Sequence, residues 1–163
     1  MSLRVRARAR EDDGWLVDVI TAAWGSLEIV TRGRLHRADQ LAGLVAERAG
    51  LSVGLLTYHL ESEALEVVTL QAMDSRTGVG SALLEAARDI ALGQGCRRLW
   101  LVTTNDNAGA IRFYERVGMR RAAVHRGAIA ESRRLKPSIP LRSADGLPIE
   151  DEWEFEWIFE EVG

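Results

Sequence analysis

Residues 3–8 alternate apolar side chains with arginines, which predicts a strand with one wet face and solvation as the simplest role of those arginines. The period then lengthens. Trp15, Leu16, Val19, Ile20, Ala23 and Trp24 recur at helical spacing, with Asp12 or Asp13 placed to cap the helix and Gly25 to stop it. The tryptophans read most simply as core. A short second helix is expected around residues 36–41. Residues 44–48 and 51–60, joined at Ala49-Gly50, read as a hairpin, and a turn at residues 61–63 leads to an apolar strand over 65–72. Up to this point the strands form an antiparallel meander.

The pattern changes again at Met73-Asp-Ser-Arg-Thr-Gly-Val-Gly-Ser-Ala-Leu-Leu84, where a β-branched stretch gives way to a glycine pair that opens a helix. Gly78 and Gly80 let the backbone curl and approach a ligand closely, and a helix starting near Gly80 offers free N–H groups and the positive end of its dipole. A pyrophosphate fits such a mouth. The loop lacks the Gly-Lys-Ser/Thr of a P-loop. It also lacks the third glycine of a dinucleotide fingerprint, since Leu83 stands there, and Asp106 comes too late to serve as that fingerprint's acid.

The helix carries an apolar stripe of Leu83, Leu84, Ala87, Ile90 and Ala91 and is expected to end at Gly93. Residues 99–102 are apolar on both faces, as a strand covered on both sides must be. A strand, helix and strand in this order imply a right-handed parallel crossover. Asn107 occupies an N-cap position, and the stripe Ala110, Ile111, Tyr114 and Val117 follows before Gly118. Glycine loop and Asn107 thus fall at the carboxyl ends of neighbouring parallel strands, where open α/β sheets bind ligands.

Composition narrows the field. The 163 residues, 47% hydrophobic and 28% charged, suit one globular domain spanning 1–163. A net charge of −3 argues against nucleic acid as a partner. No apolar run approaches the roughly 20 residues that cross a bilayer, and the arginine-rich start has no signal-like core, so no membrane association and a cytoplasmic location are expected. Cys96 is the only cysteine and has no close histidine, which leaves neither an intrachain disulfide nor a metal site, and it reads as a small buried hydrophobe.

The string Arg98-Leu-Trp-Leu-Val-Thr-Thr-Asn-Asp-Asn-Ala-Gly-Ala-Ile-Arg-Phe-Tyr-Glu-Arg-Val-Gly-Met119 closely resembles a conserved block of the GNAT superfamily of N-acetyltransferases, with Asn107, Ala110, Phe113, Tyr114 and Gly118 matching. Gly78-Val-Gly-Ser-Ala-Leu-Leu84 resembles the same superfamily's acyl-CoA pyrophosphate loop. The resemblance implies an α/β fold, a mixed twisted sheet of about seven strands flanked by helices, with the two central parallel strands splayed. It implies an acyltransferase that moves an acetyl group from acetyl-CoA to a primary amine by direct attack in a ternary complex. The amine belongs to a small molecule, an amino acid or peptide, or a protein N-terminus. The pantetheine arm is expected along the backbone of Leu70, Gln71 and Ala72 and at the Asn107 amide, next to Ala110. The pyrophosphate is expected on the N–H groups of Gly78, Val79, Gly80 and Ser81, alongside Thr77. One departure stands out: Ser75 occupies a place where the family usually has Gln or Arg, and Arg76 beside it is the substitute phosphate contact.

Two residues are candidates for the chemistry. Tyr114 can give a proton to the departing thiolate, its alternative being an amphipathic core aromatic. Glu66, on the strand that feeds the glycine loop, is the leading base, since the family often uses a glutamate on this strand; its alternative is a solvent-facing or arginine-paired residue. His59 is a second base candidate or a hydrogen-bonded structural histidine.

The C-terminal quarter departs from a minimal domain of this kind, with an insertion at about 127–150 on the acceptor side. A strand over 124–126 and a helix over 128–135 are expected. Trp153, Phe155, Trp157 and Phe159 then alternate with Glu152, Glu154 and Glu156, predicting a half-buried strand whose glutamates form a solvated face that discourages edge pairing. An acidic strip suits a cationic amine, while Arg133, Arg134 and Lys136 suit a carboxylate-bearing acceptor, so the substrate stays open. A non-catalytic acyl-CoA-sensing module of the same fold and a dinucleotide-binding domain are the competing readings. By family analogy a homodimer is possible, with the aromatic strand in its contact.

Overall fold

The computed structural model describes residues 2–73 and 77–159. Strand β1 (Leu3–Ala7) pairs antiparallel with β4 (Ala42–Arg48) and packs Leu3 and Val5 against the core. Its arginines do more than meet water: Arg6 bridges Asp12, at 2.7 Å, and Glu47, tying β1 to the start of helix α1 (Asp13–Trp24). The Arg6 guanidinium holds the Asp12 carboxyl below the usual carboxylate range. Helix α1 ends where predicted, with Gly25 in the left-handed region at φ +80°.

The helix expected at 36–41 is not there. His36 lies in β3 (Arg34–Arg37), which forms a ribbon with β2 (Glu28–Thr31), and only a single 3-10 turn follows at Ala38–Gln40. The ribbon closes on Arg32 and Gly33, both at positive φ (47° and 73°), the geometry of a two-residue hairpin turn. Four-residue strands are too short for alternation to declare itself, and an arginine at the turn hides the usual Asn-Gly signal.

The main sheet has seven strands in the order β1-β4-β5-β6-β7-β9-β8. Strands β4, β5 (Leu51–Glu61) and β6 (Ala64–Ala72) form the predicted meander. Helix α2 (Val79–Gly93) then crosses to β7 (Arg98–Thr104), parallel to β6, and α3 (Ala108–Arg116) leads to β8 (Arg120–His125). Strand β8 therefore begins four residues before the predicted one, and the left-handed residue after α2 is Gly95, not Gly93. Helix α4 (Ala128–Leu135) matches its predicted span, and β9 (Glu152–Ile158) inserts between β7 and β8. Among the described residues no helix is long and apolar enough to cross a membrane.

Two clusters cover the sheet's faces. Leu83, Leu84, Ala87 and Ala91 of α2 meet Leu65, Val67, Leu99, Leu101 and Phe155 on one side, and Cys96 is buried in this cluster. Leu16 and Ile20 of α1 meet Ile29, Val45, Leu55 and Val68 on the other. Pairing of β5 with β6 slips between Thr57 and Tyr58, so Val68 has no partner in the register and the alternation of β6 resets there. Leu70 returns to the α2 side while Gln71 faces the α1 side.

Strand β9 overturns the expected solvated glutamate face. It is an interior strand, and Glu152 and Glu156 are buried. Arg98 donates to Glu156 at 2.6 Å and also pairs with Glu154, Arg120 pairs with Glu156, and His125 lies 2.9 Å from Glu154. Burial raises the Glu154 carboxyl, but the bonds from His125 and Arg98 outweigh it and hold the group below its usual range. This contribution is present above the ordinary glutamate range and is lost as pH falls through the lowered value. Arg98→Met is expected to cost about 2 kcal/mol, less than the 3–5 of a fully buried pair because the guanidinium stays partly exposed. Calorimetric unfolding checks this, and a melting temperature within about 1 °C of wild type contradicts it.

Candidate active site

Strands β6 and β7 pair only at Ala64↔Arg98, Leu65↔Leu99 and Glu66↔Trp100. Beyond those positions each continues bonded to its outer neighbour, β5 or β9, and the sheet splits between them. A cavity opens on each side of the split, of about 700 Å³ toward α2 and α3 and about 640 Å³ toward α1 and α4.

The first cavity gathers most of the residues expected to hold the coenzyme. Leu70 and Ala72 line it from β6, Gly78, Val79, Gly80 and Ser81 from the mouth of α2, and Ala110 and Tyr114 from α3. Gly78 caps α2 in the left-handed region at φ +82°, and the first intrahelical bond there is donated by Ala82 to the Gly78 carbonyl at 3.0 Å. The N–H groups before Ala82 therefore point out of the helix end, with no acidic side chain in the first turn to compete for them. Gly80 also permits a close approach, since a Cβ there would lie 3.0 Å from Phe113 Cζ. The Thr77 carbonyl accepts from Arg48 at 3.2 Å, which ties the loop to β4, and Arg76 lies outside the described residues.

Tyr114 is 8% exposed, between Phe113 and Phe155 with ring centroids 5.5 and 5.6 Å away. Burial pushes its phenol up to about 12. Asn107 accepts from the Ala110 N–H at 3.2 Å through Oδ1, which leaves its amide N–H₂ to donate elsewhere.

Gln71 and Asn107 line the second cavity. Glu66 lines neither. It is buried behind the ribbon, where Thr31 Oγ1 donates to Glu66 Oε2 at 2.6 Å and lies 3.0 Å from His36 Nε2. Thr31 itself lines the second cavity, which makes it the residue that joins that space to the buried carboxylate. The His59 ring packs tilted at 59° against His36 with centroids 5.7 Å apart, and its Nε2 is 3.5 Å from Glu61.

Several residues of this site escape a reading of the chain by motifs. Glu152 Oε1 accepts from the Arg32 backbone N–H at 3.2 Å and from its guanidinium at 3.0 Å, and the carboxylate lines the second cavity. Asn105 holds the approach to it, accepting from the Glu150 and Asp151 N–H groups and donating to the Pro148 carbonyl at 2.9 Å. Lys136, 7% exposed, donates to the carbonyls of Trp24 at 3.0 Å and Glu28 at 2.7 Å. Burial lowers its pKa from the usual lysine value, against an opposing effect of Glu28. Arg112 and Arg116 line the first cavity, and their spacing of four on one helix was the signal that could have marked them.

The sequence profile described as the Acetyltransferase (GNAT) family matches residues 21–119. The chain is 37% identical over 138 residues to the uncharacterized protein YdhI of Bacillus subtilis (strain 168), covering 84% of this chain and 86% of that protein. Its structure is similar to that of an IAA acetyltransferase from Bacillus cereus ATCC 14579, with a TM-score of 0.75, 16% identity and 97% and 100% of the two chains covered. It is also similar to a GNAT family acetyltransferase from Elizabethkingia anophelis with acetyl-CoA bound, with a TM-score of 0.70, 12% identity and 96% and 98% covered. At these identities the two structural likenesses concern the fold.

Proposed function

Because this chain belongs to the acetyltransferase (GNAT) family, we propose that it transfers an acetyl group from acetyl-CoA to a primary amine by direct attack within a ternary complex. One observation carries the reading: a cavity lies on each side of the split between β6 and β7, the first with a helix mouth suited to a diphosphate and the second lined by Thr31, whose hydroxyl donates to the buried Glu66 carboxylate. The coenzyme occupies the first, its diphosphate on the N–H groups of Gly78 to Ser81 with Thr77 beside it. Its arm runs past Leu70 to Ala72 toward the Asn107 amide and Ala110. The amine enters from the second.

The reaction follows from this placement. The neutral amine attacks the thioester carbon and a C–N bond forms. A proton leaves the nitrogen for Thr31 Oγ1 as the Thr31 hydroxyl proton passes to Glu66, so the carboxylate works as base through one hydroxyl. The tetrahedral intermediate collapses, the C–S bond breaks, and the Tyr114 hydroxyl donates to the departing sulfur. The products are the N-acetylated amine and CoA.

Thiol release with an amine library tests the reading. Glu66→Gln keeps an acceptor for Thr31 but cannot take a proton, and it is expected to lower kcat by about 10²-fold or more. A saturating coenzyme, at about 100 times its Kd, is expected to stabilise the fold by about 2.7 kcal/mol. Acetyl-CoA binding with no thiol release across the library instead favours a sensing module, and stabilisation by NADH but not acetyl-CoA refutes the proposal.

A further inference from the structure

The ribbon β2–β3 borders the second cavity with a strand edge that is not fully paired. Residues Thr31 and Arg34 flank the two-residue turn, so Thr31 and Ile29 direct their backbone groups to β3, and Glu28, Val30 and Arg32 direct theirs the other way. The two ends of that outer edge are taken. The Glu28 carbonyl accepts from Lys136, and the Arg32 N–H donates to Glu152. Between them, the N–H and C=O of Val30 have no hydrogen-bond partner among the described residues, and Val30 lines the cavity.

The groups at the two ends have capacity left. An ammonium carries three N–H donors, and Lys136, a residue more than nine-tenths buried that lines the cavity, has used two of them on carbonyls. The Glu152 carboxylate, also buried and cavity-lining, is bonded among the described residues only to Arg32 and retains lone pairs. A cation and an anion thus stand at opposite ends of one short edge. Three residues of strand separate the Glu28 carbonyl from the Arg32 N–H, a span of roughly 10 Å. The anionic end is also the end at which Thr31 leads to Glu66.

We propose that the acceptor is a dipeptide-length amino-carboxylate bound as a short antiparallel strand along the free edge of β2, with its ammonium at Glu152 and its carboxylate at Lys136. The inference rests on the second cavity being the acceptor side. In this pose the N–H of the ligand's second residue donates to the Val30 carbonyl. The ligand's carboxylate accepts from the Val30 N–H and from Lys136. Its first residue then lies one step toward the turn, with the amine between Glu152 and Thr31. Two extended residues cover about 7 Å, the step from the Val30 N–H to the Arg32 N–H, so a ligand whose carboxylate faces Val30 brings its amine level with Glu152. A single α-amino acid whose carboxylate accepts from the Val30 N–H ends one residue short of Glu152, and a protein N-terminus has no carboxylate at the required place.

Calorimetric titration of the CoA-bound protein tests this without relying on turnover, with alanyl-leucine as the probe beside its C-terminal amide, its peptide-bond N-methyl analogue and free leucine. The dipeptide is expected to bind at least about tenfold more tightly than each of the three, and Lys136→Met is expected to erase the preference for acid over amide while Lys136→Arg restores part of it. Equal affinity for acid and amide, or for the N-methyl analogue, overturns the proposal. Should Lys136→Met fail to fold, the ligand series on the wild type decides alone. Tight dipeptide binding with no thiol release leaves this inference standing and removes the acetyltransferase reading. Rapid acetylation of amines that lack a carboxylate does the reverse.

Discussion

Tyr114→Phe is expected to lower kcat by about 10²-fold while leaving the affinity for acetyl-CoA within about twofold. The lost hydroxyl is the only change, because the ring keeps its contacts with Phe113 and Phe155. Burial shapes what that hydroxyl does. A phenol pushed up to about 12 stays protonated through any ordinary assay, and it sits above a thiol's usual value of about 8.5. Complete proton transfer to the leaving thiolate is therefore uphill, and the role proposed for Tyr114 is chiefly to donate a hydrogen bond to charge as it develops on sulfur. The sign of the shift sets the pH dependence. A group with a raised pKa remains in its acid form until pH passes that value, so the fold-loss in the variant should be constant from about pH 6 to 10. A loss confined to the alkaline limb, or one carried entirely by KM, contradicts this role.

The proposed coenzyme side of the site was legible in the chain because its features are local. A glycine pair at a helix mouth, an asparagine cap and a stripe that ends at Gly118 are each written within a few residues, and the structure places Gly78, Asn107 and Gly118 in those conformations. The proposed acceptor side was not, because its contacts join distant segments: Thr31 to Glu66, Arg32 to Glu152, Lys136 to Glu28. No periodicity announces such pairs. The alternation at 152–158 shows the remaining difficulty, since it identifies which residues share a face but not what covers that face. Glu152, Glu154 and Glu156 do share one, and it carries Arg98, Arg120, His125 and Arg32 instead of water.

The same distinction gives Gly54 its importance, and Gly54→Val is expected to have the largest effect on stability. Gly54 looks unremarkable in the sequence, inside a strand with no turn around it. In the fold it lies on β5 opposite Ala72, under the first turn of α2. A Cβ there would collide with Val79 Cγ1, and would lie 2.9 Å from Leu83 Cδ1 and 3.3 Å from the Gln71 carbonyl. Val79 and Leu83 are fully packed, so neither yields without moving the helix. We expect a cost of about 3 kcal/mol, the upper part of the range for overpacking, and a fall in melting temperature of roughly 6–12 °C. Gly54 lines neither cavity, yet it sets how closely the mouth of α2 approaches β6, where the diphosphate and the arm of the coenzyme are proposed to lie. At the acetyl-CoA concentration that is about 100 times the wild-type Kd, the stabilisation should therefore drop well below the roughly 2.7 kcal/mol expected of the wild type, with Gly54→Ala intermediate in both measurements. If Gly54→Val melts within about 2 °C of wild type, α2 is not held by this contact. If it is destabilised but binds acetyl-CoA with unchanged affinity, the position of the helix mouth does not control the coenzyme.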